Sequence, residues 1–230
     1  YKRQLMDGQL DVAMISMLEQ KFEKSRFTRV DSDVIDRLIA KEEHKEANLE
    51  SNQREILSSV FRSQLPQIKK VEFNVETQAL GENTAPVMIT QSEYMRRMKE
   101  MANIQAGMSF YGEMPDMFNL VLNVDHKLVK QVLNDADNSC KAALEPIETE
   151  MTSLNKRHDE LHKAQEGKKA DEIPQAEKDE LSDVEKKLAD EKTKKEAVLG
   201  EYAGGNKVIR QLIDLALLQN NMLKGEALTN

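Results

Sequence analysis

The strongest constraint on the fold is a pair of heptad seams between residues 141 and 203. The first seam has 3-4-3-4-3 spacing and comprises Leu144, Ile147, Met151, Leu154, His158 and Leu161. Gly167 and Pro174 interrupt it, and the spacing resumes at Leu181, Val184, Leu188, Glu191, Lys195, Val198 and Tyr202. Apolar residues at this spacing are typical of a coiled-coil contact seam. Two such stretches separated by turn-forming residues predict two helices joined by a turn.

Folding the sequence back near residue 171 pairs the seam residues in order. Leu161 then faces Leu181, His158 faces Val184, Leu154 faces Leu188 and Leu144 faces Val198. We therefore predict an inserted antiparallel coiled-coil hairpin over about 141–203, with its tip near Gly167. The hairpin has no further apolar face, so we expect it to project as a spike. Gly204-Gly205 should end it, and Pro146 should mark the start of an arm or a kink.

Three short β-strands are predicted between residues 70 and 125. "KKVEFNVE" alternates apolar and polar residues, "APVMIT" is a second β-rich run, and "MFNLVLNV" is a third. Alternation of this kind is typical of a half-buried strand. The amphipathic helix "REILSSVFRSQLPQI" precedes the strands, and Asp125 is a suitable N-cap for a helix containing "HKLVKQVL". Residues 42–230 are thus predicted to form a helical domain with a short three-stranded sheet.

Residues 1–41 are predicted to form a separate small α/β piece. The β-rich runs "RQLMD" and "RFTRVD" enclose the helical pattern "LDVAMISMLEQK", and "SDVIDRLI" follows with Ser32 as its N-cap. The next stretch, "AKEEHKEANLESNQ", is charged and almost free of bulky apolar residues, so we place the domain boundary there. The predicted fold class is α+β and predominantly helical.

Residues 92–108, "SEYMRRMKEMANIQAGM", combine four methionines with one tyrosine. At about 100° per residue the apolar side chains cover an arc of roughly 200°, and charged side chains share most of the remainder. One interpretation is a core helix filled with methionine. The other is an adaptable binding face, because methionine is flexible and polarizable and is over-represented on promiscuous surfaces.

The segment "NKVIRQLIDLALLQNNML" predicts a helix that opens with Asn206 as N-cap and is apolar around nearly its whole circumference. Such a helix must be buried on all sides, and a partner subunit would provide the missing cover. The predicted dimer interface comprises Val208, Ile209, Leu212, Ile213, Leu215, Leu217, Leu218 and Met222.

The composition excludes several classes of function. A net charge of −8 argues against unselective binding to nucleic acid or to an anionic membrane, because both would be repelled. Cys140 is the only cysteine, so no intramolecular disulfide can form and a reducing compartment is expected. No apolar run approaches the roughly 18 residues of a membrane span.

No catalytic motif is present. The chain has no glycine-rich phosphate loop, no G-x-S-x-G, no H-E-x-x-H and no C-x-x-C. His158 and His162 have the spacing to share a metal, but a third ligand is missing. Asp125-His126 fits a helix cap better than an acid/base pair, and Cys140 fits a packing role better than a nucleophile. We therefore predict no catalytic residue, no metal site and no cofactor in this chain.

Four motifs occur in one order along the chain: "VDSDVIDRLI", then "TAPVMIT" leading into "SEYMRRMKEM", then "NLVLNVDHKLVK", and last "IRQLIDLALLQNNMLKGEAL". Together they resemble the C-terminal half of the ninety-kilodalton heat-shock chaperones, in the bacterial form of that family. The resemblance covers about residues 1–135 and 206–230. Valine stands at position 124, where proline is usual in the family, and the hairpin at 141–203 looks like an insertion.

The resemblance implies that this chain is a fragment of a longer cytoplasmic, stress-responsive chaperone. Residues 1–41 would end its middle domain, and residues 42–230 would form its C-terminal dimerisation domain. The family's ATP site and its ATPase-assisting arginine lie upstream, so ATP and magnesium would bind the parent protein and this chain should not hydrolyse ATP. Family members are homodimers built from their last two helices, and the final helix would begin just after Leu228.

The resemblance also implies a site for client proteins. In the family the methionine-rich helix projects into the cleft between protomers and is implicated in holding clients. Carried over by position, the client-binding residues are Tyr94, Met95, Met98, Met101 and Ile104, with Met95 and Met98 at the exposed edge. The expected function is dimerisation and the binding of unfolded proteins within an ATP-dependent folding chaperone. The alternatives are a coiled-coil scaffold or adaptor that works through the 141–203 hairpin, and a small enzyme of unrecognised type.

Overall fold

The computed structural model describes residues 11–22, 24–25, 27, 49–91, 93–102, 114–165 and 174–223. Within these ranges the chain forms α1 (Asp11–Lys21), α2 (Ser51–Ser63), β1 (Val71–Gln78), β2 (Val87–Gln91), α3 (Glu93–Ala102), β3 (Asp116–Asn123), α4 (Lys127–Gln165), α5 (Gln175–Gly205) and α6 (Lys207–Gln219). The two predicted N-terminal strands, the helix capped by Ser32, the domain boundary at 41/42 and the hairpin tip lie outside the described residues.

The three predicted strands form one mixed sheet in the order β1-β3-β2. β3 pairs in parallel with β1, with Val71 opposite Asp116, and antiparallel with β2, with Val87 opposite Leu122. The central position of β3 follows from its sequence, because Leu120, Val121 and Leu122 are consecutive apolar residues and all three are buried. A continuous apolar run suits a strand that is covered on both faces. The prediction of a mostly helical α+β fold with a short three-stranded sheet is confirmed.

The described contacts divide the chain into two compact units. One unit contains the sheet together with α1 and α3. The other contains α2, α5 and most of α4. The small sheet and the long helices thus belong to different units.

Asn123 at the end of β3 organises the loop that joins β1 to β2. Its buried side chain accepts a hydrogen bond from the Leu80 amide at 3.2 Å and donates one to the Gly81 carbonyl at 2.8 Å. Gly81 has φ of 82°, a left-handed conformation that favours glycine. The loop therefore turns around one polar side chain, whose donors and acceptor are satisfied by backbone groups.

Asp125 binds this loop instead of capping α4, so the predicted cap is wrong. Its carboxylate accepts a hydrogen bond from the Gly81 amide at 2.9 Å. α4 begins at Lys127, and the ring Nδ1 of His126 accepts a hydrogen bond from the Leu128 amide at 3.2 Å. Asp125 has the chemistry of a good capping residue, but its carboxylate binds the Gly81 amide, which is 44 residues away in the chain.

α4 is one helix of 39 residues that continues through Pro146. Pro146 therefore does not mark the start of a helical arm. Proline has no N–H to donate to the carbonyl four residues earlier, so the helix loses one hydrogen bond there. Cys140 and Leu144 are buried before the proline and Leu154 is buried after it, and packing on both sides holds the helix across the gap.

α5 ends two residues later than the glycine pair predicted. Gly204 and Gly205 form its last turn, because glycine costs only about 1 kcal/mol relative to alanine within a helix. The extended Asn206 separates α5 from α6, and its side-chain oxygen accepts a hydrogen bond from the Val208 amide at 3.0 Å. The prediction of Asn206 as the N-cap of α6 is confirmed.

Leucine and valine side chains of α4 and α5 share an apolar cluster. Leu154, Leu161 and Val184 are its buried members, and Leu181 and Leu188 pack against them. Arg157 of α4 donates to Glu180 of α5, with Nη2 2.6 Å from Oε1. The residues that the seam pairs as Leu161–Leu181 and Leu154–Leu188 thus lie in one cluster.

The last third of α5 is part of a core, which contradicts the expectation of a spike without a further apolar face. Leu199 and Ala203 are buried, and α2 contacts α5 through a buried face of its own. A Cβ at Gly200 would lie 3.7 Å from the Cβ of Ser63. The seam residues form one face of α5, whereas the helix packs through two faces.

Candidate functional site

The methionine-rich helix is present as α3 and lies between β2 and β3 along the chain, as predicted. Met98 and Ala102 are half-buried. The side chains of Tyr94, Met95 and Met101, and all of Ile104, lie outside the described residues. The candidate surface is therefore described through Met98 and through the charged residues that fix the helix.

Arg96 is a charged residue of α3 that is nevertheless buried, with 8% of its surface exposed. The sequence places the charged side chains outside the apolar arc, but it does not show that Arg96 is buried. At about 100° per residue, Met98 lies about 160° from Arg96 around the helix axis. The basic side of α3 therefore faces the chain, and Met98 lies on the other side.

Arg97 holds α3 to α1 and to the segment that follows α1. Its Nη1 lies 3.0 Å from Oε2 of Glu19, and its Nη2 donates to the Phe27 carbonyl. The other oxygen of Glu19 accepts a hydrogen bond from the Phe27 amide at 2.7 Å. A guanidinium that donates in two directions fixes both distance and orientation, which a single point charge does not.

Lys99 provides a second ionic contact, on the sheet side of α3. Its Nζ lies 2.7 Å from Oδ1 of Asp116, the first residue of β3. Arg97 and Lys99 are thus both neutralised by acidic residues of the same unit. These two ion pairs hold the basic side of α3 towards the chain.

α6 carries the predicted dimer residues, and the structure divides them into two groups. Within the chain, Ile209, Leu212, Ile213 and Leu217 are buried, and Val208 and Met222 are half-buried. Leu215 and Leu218 remain 55% and 48% exposed. The chain itself therefore covers one side of α6, and an apolar stripe stays open on the other.

The unit that contains α4 and α5 also has an open cleft of about 730 Å³, lined by Cys140, Tyr202 and Asn206 among others. Burial raises the pKa of the Cys140 thiol, and the nearby charge of Asp137 raises it further. A thiol with a raised pKa stays protonated and is a poor nucleophile. Cys140 is itself buried, in agreement with the packing role predicted for it.

The rings of His158 and His162 have centroids 5.9 Å apart with planes tilted by 41°, and Nε2 of His158 lies 3.8 Å from Oε1 of Glu185. No group of three or more His, Cys, Asp or Glu side chains in the described part of the chain is arranged to hold a metal ion. None of the described helices has the length and apolar character needed to cross a membrane.

Sequence reasoning missed the centre of the long-helix unit, which is Lys195. Its ammonium is buried, and it contacts Asn52 and Glu55 of α2 and Glu148 of α4. Adjacent seam positions occupied by Glu191 and Lys195 were a signal, because a coiled-coil seam seldom has charged residues at successive core positions. The charged pair marks where α2 joins α4 as a packing partner of α5.

The sequence matches three sets of curated bacterial proteins over essentially its whole length. It is 70% identical over 230 residues to "Chaperone protein HtpG" of Bacteroides fragilis and 69% identical to the protein of the same name from Bacteroides thetaiotaomicron. It is 44% identical over 235 residues to the Porphyromonas gingivalis protein, with 99% of the chain covered. The chain spans only about a third of the length of these relatives.

The match to both Bacteroides proteins covers 100% of the chain, so the 141–203 segment has a counterpart in those relatives. No protein-family profile matches the sequence, and no solved structure matches it.

Proposed function

We propose that this chain is the client-binding and dimerisation region of a chaperone of the ninety-kilodalton heat-shock family. All of the chain matches a segment of HtpG, a member of that family. The segment binds exposed apolar stretches of unfolded proteins and joins two protomers. The parent protein assists folding in the stressed cytoplasm. ATP and magnesium act elsewhere in the parent, and this segment neither binds nor hydrolyses ATP.

The observation that carries the client-binding proposal is the orientation of α3. Arg96 is buried, and Arg97 and Lys99 are paired to Glu19 and Asp116, so the basic side of the helix is occupied by the chain. Met98 is half-buried and lies on the opposite side, which we propose as the surface for a client. A methionine-rich surface can adapt to many apolar sequences, which suits a protein that binds unselected clients.

The proposal is tested with Met98→Asp plus Met101→Asp in the full chain. We expect wild type to bind a labelled, permanently unfolded probe such as reduced, carboxymethylated α-lactalbumin weakly and with little dependence on salt. Two carboxylates on the apolar side would abolish that binding, because each must be desolvated against apolar surface. Fluorescence anisotropy at several salt concentrations measures the effect.

The matched control is Met17→Asp plus Met117→Asp. Both methionines are exposed in the same unit but lie outside α3, at 70% and 42% exposure. This double variant adds the same charge and should bind the probe as wild type does. Equal loss in both double variants, or undiminished binding by the α3 variant, would contradict a binding site on α3.

The dimerisation proposal rests on the open stripe of α6. Leu215 and Leu218 are large, apolar and about half exposed, and Val208 lies on the same side of the helix. A helix with apolar residues on both sides is typical of a segment that contacts its own chain on one side and a second chain on the other. Two copies that pair these stripes around a twofold axis would bury them.

Sedimentation equilibrium tests the dimer in wild type and in Leu215→Glu plus Leu218→Glu. The double variant should be monomeric at concentrations where wild type self-associates, because four glutamates would meet across a twofold interface. Gln131→Glu plus Asn134→Asp adds equal charge at exposed polar positions of α4, away from the stripe of α6, and provides the control. A wild-type chain that stays monomeric at every concentration would contradict dimerisation through this segment.

The cluster shared by α4 and α5 favours a second candidate function, a coiled-coil scaffold. We propose that Leu154, Leu161, Val184 and their neighbours form the antiparallel coiled coil. In this second function, the hairpin is the surface that binds the partner protein. Replacing residues 153–189 by a short glycine linker retains Glu148, Lys195 and Leu199, so the α2–α5 core is preserved. Client binding that survives this deletion favours the α3 site, and loss of binding in a folded deletion variant favours the scaffold.

A further inference from the structure

Glu19 of α1, Arg97 of α3 and the peptide groups of Phe27 form a closed ring of hydrogen bonds, which we name the Glu19 knot. One carboxylate oxygen of Glu19 accepts from the Phe27 amide at 2.7 Å, and the other accepts from Arg97 at 3.0 Å. Arg97 closes the ring by donating to the Phe27 carbonyl. Each of the three members therefore contacts both of the others.

The knot is partly shielded from water, which makes its hydrogen bonds more effective than those of an open surface pair. The side chains of Arg97 and Glu19 are 21% and 23% exposed. Exposed ion pairs contribute little, because water competes for both charges. Charge-assisted hydrogen bonds with fixed directions are the stronger class, and both Arg97 and Glu19 use two directions here.

Holding Arg97 also determines where Met98 points. Adjacent residues of a helix are about 100° apart around its axis, so fixing the side chain at 97 leaves little freedom of rotation at 98. Arg96, on the other flank of Arg97, is buried on the same side of the helix. A rotation of α3 that carried Met98 towards the chain would break the knot and expose Arg96.

We propose that Glu19 is a positioning residue for the client-binding surface, because it sets the rotation of α3 about its axis and so keeps Met98 on the side opposite the buried Arg96. This inference rests on the proposed client-binding function of α3. Glu19 itself touches no client; it acts through Arg97. α1 thus controls a surface that lies on a helix 78 residues further along the chain.

The test is a double-mutant cycle in the full chain with Glu19→Gln, Arg97→Gln and both together. Each single variant should weaken binding of the α-lactalbumin probe about 3- to 10-fold, and the double variant should be no weaker than either, because one unit is broken once. Arg97→Lys keeps the charge but loses the two-directional donor, so it should behave as Arg97→Gln does. Unfolding midpoints should change far less than binding.

Lys99→Gln is the matched control, since it removes one positive charge from the same helix and breaks the separate contact with Asp116. Its effect should multiply with that of Glu19→Gln. A multiplicative cycle for Glu19 and Arg97, or full binding by Arg97→Lys, would overturn the positioning role.

Amide hydrogen exchange of residues 93–102 separates this inference from the proposed function. Glu19→Gln and Arg97→Gln should raise exchange in α3 equally, and the double variant should raise it no further. If Met98→Asp plus Met101→Asp leaves probe binding intact, the client-binding function fails. The hydrogen-exchange measurements on the Glu19 and Arg97 variants still decide the positioning role. Unchanged exchange and unchanged binding in Glu19→Gln would overturn the positioning role alone.

Discussion

The ammonium nitrogen of Lys195 lies 2.9 Å from a carboxylate oxygen of Glu55, although the two residues are 140 positions apart in the chain. Asn52 accepts a second hydrogen bond at 2.9 Å, and Glu148 forms an ion pair at 3.3 Å. Lys195 is 4% exposed, so its charge is stabilised by these partners rather than by water. One lysine therefore joins α2, α4 and α5.

Lys195→Met should lower the free energy of unfolding by about 1–3 kcal/mol, because it leaves Glu55 and Glu148 close together without their shared cation. Chemical denaturation measures the loss. Lys194→Met is the matched control: the Lys194 side chain is exposed and water competes for its ion pair with Glu191, so the change should be small. Adding Glu55→Gln to Lys195→Met should recover part of the loss. Equal stabilities for the two lysine variants would contradict a buried, paired role for Lys195.

Asn123→Ala should destabilise the sheet-containing unit by about 2–3 kcal/mol. The substitution removes a buried side chain whose partners include the Leu80 amide and the Gly81 and Thr84 carbonyls, and those groups would lose their hydrogen bonds. Thermal unfolding followed by circular dichroism reports the change. Asn74→Ala removes an exposed side chain that donates a hydrogen bond to Glu76, and it should shift the midpoint little. A similar shift in both variants would show that the Asn123 network contributes nothing.

Pro146→Ala should raise the free energy of unfolding by about 1–3 kcal/mol, because proline is about 3 kcal/mol less favourable than alanine inside a helix. Pro146 is exposed and within α4, so no packing is lost. Pro174→Ala provides the contrast: Pro174 precedes α5 as its N-cap, where proline costs nothing and restricts the unfolded chain. Denaturant unfolding measures the change. If Pro146→Ala gave no gain in the free energy of unfolding, the result would contradict a helix α4 that continues through residue 146.

Asp137→Asn should stabilise the protein at pH 7 by a few tenths of a kcal/mol, with a benefit that disappears in acid. Burial, and then the charge of Glu148, raise the pKa of Asp137 above its ordinary value of 3.8. The folded state therefore favours the protonated carboxyl. The ionised form costs stability at neutral pH, and below the unfolded pKa both states are protonated and the cost is gone.

The measurement for Asp137 is the difference in unfolding midpoint between variant and wild type from pH 7 to pH 3. The difference should be largest near neutral pH and should approach zero below about pH 4. Asp135→Asn, at an exposed position two residues earlier, makes the same change of charge and provides the control. A benefit of Asp137→Asn that grew towards acid would have the wrong sign for a raised pKa.

Local patterns predicted the elements of this fold well, because each depends on residues close in sequence. Alternation in "KKVEFNVE" and the apolar run in "MFNLVLNV" identified strands that the structure contains as β1 and β3. Helical spacing identified α2 and α6, and Asn206 was correctly taken as a cap. Burial of one face and satisfaction of the first backbone N–H groups are local requirements, so the sequence displays them directly.

The wrong predictions share one cause, which is a partner distant in the chain. Asp125 has the right chemistry for a cap, but the Gly81 amide, 44 residues away, binds it. Arginine is typical of surface positions, but α3 faces acidic groups on α1 and β3, and Arg96 is buried. α5 was given one packing face, and α2 occupies a second.

By itself the sequence determined the mostly helical α+β class, the three strands, the methionine-rich helix, the long helices and the relationship to the ninety-kilodalton heat-shock chaperones. Only the tertiary structure decided which side of α3 faces the chain, which leucines of α6 stay exposed, and that Lys195 is a buried centre. The physical reason is that periodicity shows how residues are distributed around an element. The rotation of that element is decided by contacts such as Glu19–Arg97 and Asn52–Lys195, which join residues 78 and 143 positions apart.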